Sequence, residues 1–184
     1  VLKKIENLFS EEQVLNLKKI VNDEKNSREL FVWDEKTDKV FPAAKSVTHI
    51  IQNTNLGKIG INLNYLIPKD IKNTLVGFAK SSGYSAHLNS ATYTEYSLKY
   101  GAPELRSHKD RVNHFWLVDY QLDSNIDWDI YVEGESFTLK NNEAIAFHPG
   151  SLEHGRPEKI FNDGEFVSMI FFDMAVEKTK EKEL

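Results

Sequence analysis

Two residues of metal-binding type, His108 and Asp110, stand two positions apart in Ser107-His108-Lys109-Asp110. On an extended strand, positions i and i+2 point to the same side, which is the shared direction that chelation needs. A further histidine, His154, would complete a set of two imidazoles and one carboxylate. That donor set favours non-haem Fe(II) and leaves coordination positions open for a bidentate co-substrate and dioxygen. The short motif alone is a weak signal: with 6 His and 11 Asp in 184 residues, chance supplies a His-x-Asp in roughly one sequence of three. On residue types alone, an ordinary surface pair and a capped loop histidine compete with the metal reading, and His148 and His114 compete as ligands.

The chain has no cysteine, so disulfides, thiolate ligands and a cysteine nucleophile are excluded, and any metal must be held by imidazoles and carboxylates. Arginine is scarce, 4 against 19 Lys, and three of the four, Arg106, Arg111 and Arg156, lie within a few residues of the proposed ligands. The rigid guanidinium fork suits carboxylates, so an arginine beside a metal site is a candidate acid clamp; a solvated surface arginine is the competing reading of each. Trp116, Tyr120, Trp128 and Phe147 read as core, because half of any sheet faces inward.

The elements that must position these residues fall into two textures. Ser10-Glu11-Glu12-Gln13 is a capping-box pattern, with Val14, Leu17, Ile20 and Val21 at helical spacing behind it; the pattern predicts a helix over 11–23 and a polar turn over 23–28. Residues 30–33 and 47–51 read as short strands, and Pro68 opens a second helix with Ile71, Leu75, Phe78 and Ala79 on one face, stopped at Gly83. From Tyr84 onward come short β-rich runs, at 91–98, 104–109, 113–121, 127–132, 135–139, 143–148, 151–154 and 166–172, with Glu133-Gly134 as a hairpin turn. Such a series predicts a mainly β fold with flanking helices, a jelly roll. The expected division is one domain over 1–176, its mixed part at 1–83 and its β core at 84–176, followed by a charged tail at 177–184.

A formal charge of -5 and a pI near 5.7 argue against a phosphate-backbone footprint, so no nucleic-acid partner is expected. No apolar run approaches the ~20 residues that span a bilayer, and the first residues are too charged for a signal peptide, so the expected setting is the cytoplasm, away from membranes.

Taken together, these residues resemble the 2-oxoglutarate-dependent dioxygenases, within them the prolyl-4-hydroxylase-like branch. The resemblance is carried by Leu8-Phe9-Ser10-Glu11-Glu12, by Lys99-Tyr100-Gly101 through Leu105-Arg106-Ser107-His108-Lys109-Asp110, by Glu143-Ala144-Ile145-Ala146-Phe147, and by His154-Gly155-Arg156 before a closing apolar strand. It implies a double-stranded β-helix of cupin-like type, Fe(II) on His108, Asp110 and His154, and 2-oxoglutarate and dioxygen as co-substrates, with ascorbate as an accessory reductant. It also implies oxidative decarboxylation to succinate coupled to oxidation of a C–H bond in a small-molecule, amino-acid or peptidyl substrate, prolyl among them. His148 and His114 do not fit the family spacing and fall to a supporting or substrate-pocket role.

The pattern departs at the co-substrate anchor. Many relatives carry, beyond the distal histidine, a basic residue followed closely by Ser or Thr; here Phe166-Val167-Ser168 supplies the serine without the cation. An unpaired buried carboxylate costs several kcal/mol, so another cation must serve. Arg156 is the first choice, with Lys159 and Lys99 behind it, and Tyr100 matches a tyrosine that in relatives bonds the same acid. The missing basic residue is also the best support for the alternative, a non-catalytic jelly-roll binding module with or without a structural metal.

Overall fold

The computed structural model describes residues 1–33, 49–53, 56–111 and 115–178. The chain opens on a short strand, β1 (Leu2–Ile5), and then α1 (Glu11–Ser27). Ser10 caps α1 reciprocally: its hydroxyl accepts from the Gln13 amide and the Gln13 side chain accepts from the Ser10 amide. The helix runs four residues beyond the predicted end. The polar stretch read as a turn is the end of the helix, where an exposed Lys19 to Asp23 pair and a largely buried Arg28 to Glu24 pair stand at helical spacing.

There follow β2 (Glu29–Trp33), β3 (His49–Asn53), β4 (Lys58–Asn62), α2 (Lys69–Ser81) and β5 (Tyr84–Ser97). The rest of the chain is β6 (Leu105–His108), β7 (Phe115–Ser124), β8 (Ile130–Val132), β9 (Glu135–Phe137), β10 (Glu143–Phe147), β11 (His154–Arg156) and β12 (Phe166–Lys178). They form an eight-stranded sheet in the order β1-β10-β7-β12-β5-β4-β3-β2 and a four-stranded sheet in the order β6-β11-β8-β9. This is the jelly roll expected from the sequence. Among the described residues no helix is long and apolar enough to cross a membrane.

Several boundaries differ from the expectation. β1 and β4 were not anticipated, being short edge or extension strands. β2 and β3, whose pairing the sequence left open, run parallel and extend the large sheet; residues 47 and 48 of the expected strand lie outside the described residues. β5 begins at Tyr84 because its first half pairs with the end of β12, Tyr84 opposite Lys178. For the same reason residues 177 and 178 belong to β12, and 179–184 of the expected tail lie outside the described residues. Residues 149–152 turn, the amides of Ser151 and Leu152 both donating to His148 O, and the strand starts only at His154.

Strand alternation sorts the side chains into two cores. One face of the large sheet, with Trp116, Val118, Tyr120, Ile170 and Phe172, packs on Leu17 and Val21 of α1 and Ile71 and Leu75 of α2. The other face, with Tyr96, Leu117, Ile145, Phe147, Val167 and Met169, packs on Trp128, Ile130 and Val132 from the small-sheet side. Trp116, Tyr120, Trp128 and Phe147 are all buried core residues. Glu133 and Gly134, both at positive φ, make the two-residue turn that joins β8 to β9.

Candidate metal centre

β6 and β11 pair in the small sheet with His108 directly opposite His154. Their rings stand 4.4 Å apart between centroids. Gly155 permits this close pairing: a Cβ there would lie 2.8 Å from Leu105 O and 2.9 Å from Ser107 N and Cα, so only glycine lets the two backbones approach. Asp110 follows on the loop after β6, its amide donating to Pro149 O at 2.9 Å.

The three side chains converge. Asp110 Oδ1 lies 3.3 Å from His108 Nε2 and 4.0 Å from His154 Nε2, and one donor atom from each residue falls within 4.8 Å of the others. Ligands bound at about 2.1 Å on one face of a six-coordinate ion stand about 3 Å apart, so a small closure would seat a cation among them. Each imidazole also has its second nitrogen against a backbone carbonyl, His108 Nδ1 at 2.8 Å from Arg106 O and His154 Nδ1 at 3.1 Å from Leu152 O. A carbonyl only accepts, so the proton belongs on Nδ1 and Nε2 is left with its lone pair toward Asp110, as a ligating histidine requires. His154 is buried, with the Phe147 ring 4.9 Å away. Burial depresses its pKa and the neighbouring His108 adds to this, against the Leu152 carbonyl and Asp110, which act the other way; the neutral, ligating form is favoured.

A cavity of about 280 Å³ adjoins the group, lined by His108, Asp110 and His154 together with Lys58, Thr94, Tyr96, Asp119, Phe171 and Asp173. Lys58 holds its ammonium over the Tyr96 ring, 5.5 Å from the centroid. Tyr96 Oη, Asp119 Oδ1, Gln121 Oε1 and Arg156 Nε are buried without a hydrogen-bond partner among the described residues. Buried polar atoms are rarely left so, and two of these residues, Tyr96 and Asp119, line the cavity, as suits a polar ligand.

Arg156 is fully enclosed. Nη1 donates to Trp128 O, Nη2 lies 3.6 Å from both Met169 Sδ and Asp119 Oδ2, and the guanidinium sits 5.2 Å from the Trp128 ring centroid. It is not itself among the residues lining the cavity, but its partner Asp119 is. Burial pushes the Asp119 carboxyl up to about 6, against the pull of Arg156.

The other expected anchors are not brought to the cavity. Ser168 lies on the helix-facing side of β12 with Ile170 and Phe172, its hydroxyl donating to Asp123 O at 2.9 Å; strict alternation sends it away from Val167 and Met169. Tyr100 lies past the end of β5 and turns its hydroxyl back to Glu95 Oε1 at 3.1 Å on that same side. Lys99 is exposed over the Tyr100 ring, and Lys159 is half-buried and donates to Asp127 O. His148 is outside the metal group, with Trp116 Nε1 donating to its Nε2 at 2.9 Å. Arg106 pairs with Glu104 and Arg111 is exposed; His114 lies outside the described residues.

Sequence reasoning missed Tyr96, Asp119 and Lys58. A signal for two of them was present. Extending the alternation of Leu117 puts Asp119 on the same inward face, a lone acid in the apolar run Phe115-Trp116-Leu117-Val118-Asp119, and Thr92, Thr94 and Tyr96 alternate likewise.

No protein-family model matches the chain, and no curated protein does. Solved structures share its fold. An oxidoreductase of the 2OG-Fe(II) oxygenase family from Burkholderia pseudomallei is similar over 100% of this chain and 88% of its own, with a TM-score of 0.60 and 7% identity. HygX from Streptomyces hygroscopicus, crystallised with nickel and 2-oxoglutarate bound, is similar over 95% of this chain and 82% of its own, with a TM-score of 0.57 and 9% identity. A prolyl-4-hydroxylase from Pseudomonas putida is similar over 95% of this chain and 91% of its own, with a TM-score of 0.55 and 9% identity.

Proposed function

We propose that the chain is an Fe(II)- and 2-oxoglutarate-dependent dioxygenase that hydroxylates an amino-acid, peptidyl or other small substrate. The observation that carries the reading is the convergence of His108, Asp110 and His154, with both Nδ1 atoms committed to backbone carbonyls, beside a cavity containing unpartnered buried polar atoms. The fold shared with oxygenases, one of them holding nickel and 2-oxoglutarate, supports it. A prolyl substrate, suggested by the sequence resemblance and by the Pseudomonas putida neighbour, is one member of the proposed class.

In this reading His108, Asp110 and His154 hold Fe(II), and the donor set of two neutral imidazoles and one carboxylate suits that ion. The co-substrate's distal carboxylate is assigned to Arg156 and the Tyr96 hydroxyl, both buried and each with an unpartnered polar atom; Tyr96 takes the place first given to Tyr100. Lys58, at the cavity wall, adds positive charge that attracts a dicarboxylate. Bound Fe(II) with 2-oxoglutarate and dioxygen supplies an oxidation in which 2-oxoglutarate, O2 and R–H become succinate, CO2 and R–OH. Leu105, Leu117 and Phe171 are the apolar part of the same wall and limit water there.

The test is direct. Purified protein is titrated with Fe(II) and 2-oxoglutarate under anaerobic conditions and then exposed to air with ascorbate, and succinate is measured. Metal-dependent binding of 2-oxoglutarate followed by slow uncoupled succinate release is the expected result. Failure to bind either ligand would return the chain to the reading of a jelly-roll binding module.

A further inference from the structure

Asp119 joins the cavity wall to Arg156. It lines the cavity, which Arg156 does not, and its Oδ2 is 3.6 Å from the Arg156 guanidinium. Asp119 is 1% exposed and its Oδ1 has no hydrogen-bond partner among the described residues. A carboxylate ligand drawn to Arg156 therefore meets a carboxylate already there. Two ionised carboxylates sharing one buried cation repel strongly, and the usual resolution is that one of them holds a proton.

We propose that Asp119 is protonated when the distal carboxylate of 2-oxoglutarate occupies this site. The co-substrate is then held by Arg156, the Tyr96 hydroxyl and a neutral carboxylic acid that donates from Asp119, and its binding takes up a proton. The inference rests on the co-substrate reading above and assigns Asp119 a role within it. Burial already pushes the Asp119 carboxyl up to about 6 before any second acid arrives, and a nearby anion can only push it further.

The ionisable groups round Asp119 are accountable. Arg156 on β11 is the one whose charge acts on it directly. The cavity wall adds Lys58 and Tyr96, the metal group His108, Asp110 and His154, and Asp173 in the middle of β12. Lys58 is the competitor: if its ammonium moves off the Tyr96 ring and neutralises the incoming acid, no proton is needed.

The experiment is calorimetric titration of 2-oxoglutarate into the Mn(II)-loaded protein without oxygen, in buffers of different ionisation enthalpy, from pH 5.5 to 8.5. The expected result is uptake approaching about one proton per ligand above pH 7, with affinity nearly flat below about pH 6 and weakening roughly tenfold per unit above it. Asp119→Asn mimics the neutral acid and should lose both the uptake and the slope. An infrared difference band of a protonated carboxylic acid should accompany binding in the wild type and vanish in the variant. Tight binding by the wild type without proton uptake overturns the proposal and keeps the co-substrate reading. The same uptake in Asp119→Asn also overturns it, and the wild-type measurement decides even if the variant does not fold. No 2-oxoglutarate binding by the wild type at any pH would sink the co-substrate reading and this inference with it.

Discussion

His108 and His154 are direct partners across two antiparallel strands, and each turns its Nδ1 to the carbonyl two residues before it. The metal group is thus built into the backbone of the small sheet, since the strands fix both the separation of the rings and their tautomers. Outer contacts of this kind typically change metal affinity or activity 10–100-fold when removed.

Loss of a ligand should be more severe than loss of such a contact. His108→Ala, Asp110→Ala or His154→Ala should each weaken Mn(II) binding by more than about a hundredfold, measured by calorimetry or by the electron paramagnetic resonance of free Mn(II). The wild-type affinity should fall in acid, because a proton on Nε2 competes with the ion. Tight, pH-independent Mn(II) binding by all three variants would place the metal elsewhere.

Gly155 offers a test of position without touching a ligand. A Cβ would meet backbone at 2.8–2.9 Å on β6, atoms that cannot swing aside as a side chain can. Gly155→Ala should cost about 1–3 kcal/mol, lowering Tm by roughly 2–12 °C, and should weaken Mn(II) binding as β6 and β11 separate. An unchanged Tm would mean that the strands give way more readily than their pairing suggests.

Much of this site was legible in the sequence, and the reason is periodicity. His108 and Asp110 at i and i+2, and the capping box at Ser10, are local signals that need no knowledge of distant partners. The anchor residues were harder. Ser168 sits in the expected stretch, yet which face it occupies depends on register: one step along β12 separates the helix-packed face of Ile170 from the cavity face of Met169. Tyr100 and Tyr96 are likewise close in sequence but end on opposite sides of the large sheet. Asp119 and Arg156 meet only because β7 and β11 belong to facing sheets, a contact that no local pattern encodes.

Trp116 reaches the site through the loop that holds Asp110. Its indole donates to His148 Nε2, and Pro149, next in the chain, accepts the Asp110 amide. Burial, the largest cause, already depresses the His148 pKa, and the indole bond favours the neutral ring further. Trp116→Phe should therefore raise the His148 pKa, read by imidazole proton resonances, and cost about 1–3 kcal/mol of stability. Mn(II) affinity should fall roughly tenfold, at the low end of the outer-contact range. An unchanged His148 titration would show that the indole bond does not govern the ring.

Arg156 carries two burdens that one substitution separates. Arg156→Ala removes the cation assigned to the co-substrate and leaves Asp119 buried without its partner, a loss of about 3–5 kcal/mol when that carboxylate stays ionised. The 2-oxoglutarate Kd should rise by about tenfold to a hundredfold, the value of a hydrogen bond to a charged group, with Mn(II) affinity little changed. Adding Asp119→Leu to Arg156→Met should recover stability without recovering 2-oxoglutarate binding. Wild-type affinity in Arg156→Ala would transfer the role to Lys58.

The metal-free protein should show Asp119 in its stability profile. Its folded pKa is raised to about 6 from an ordinary 3.8, so between these values the native state keeps a proton that the unfolded chain has released. The stability this contributes is fully present below pH 3.8 and is lost as pH rises through about 6. Glu95, Asp129 and Glu143 are shifted the opposite way, but they are common to wild type and Asp119→Asn and cancel in the difference. Denaturant melts of the two proteins from pH 4 to 7.5 should diverge, the variant gaining on the wild type by up to about 3 kcal/mol and the gap levelling off above pH 6. If the wild type gained instead, the attraction of Arg156 would outweigh the burial of Asp119, and the pair would be an ordinary stabilising ion pair rather than an acid held close to its titration point.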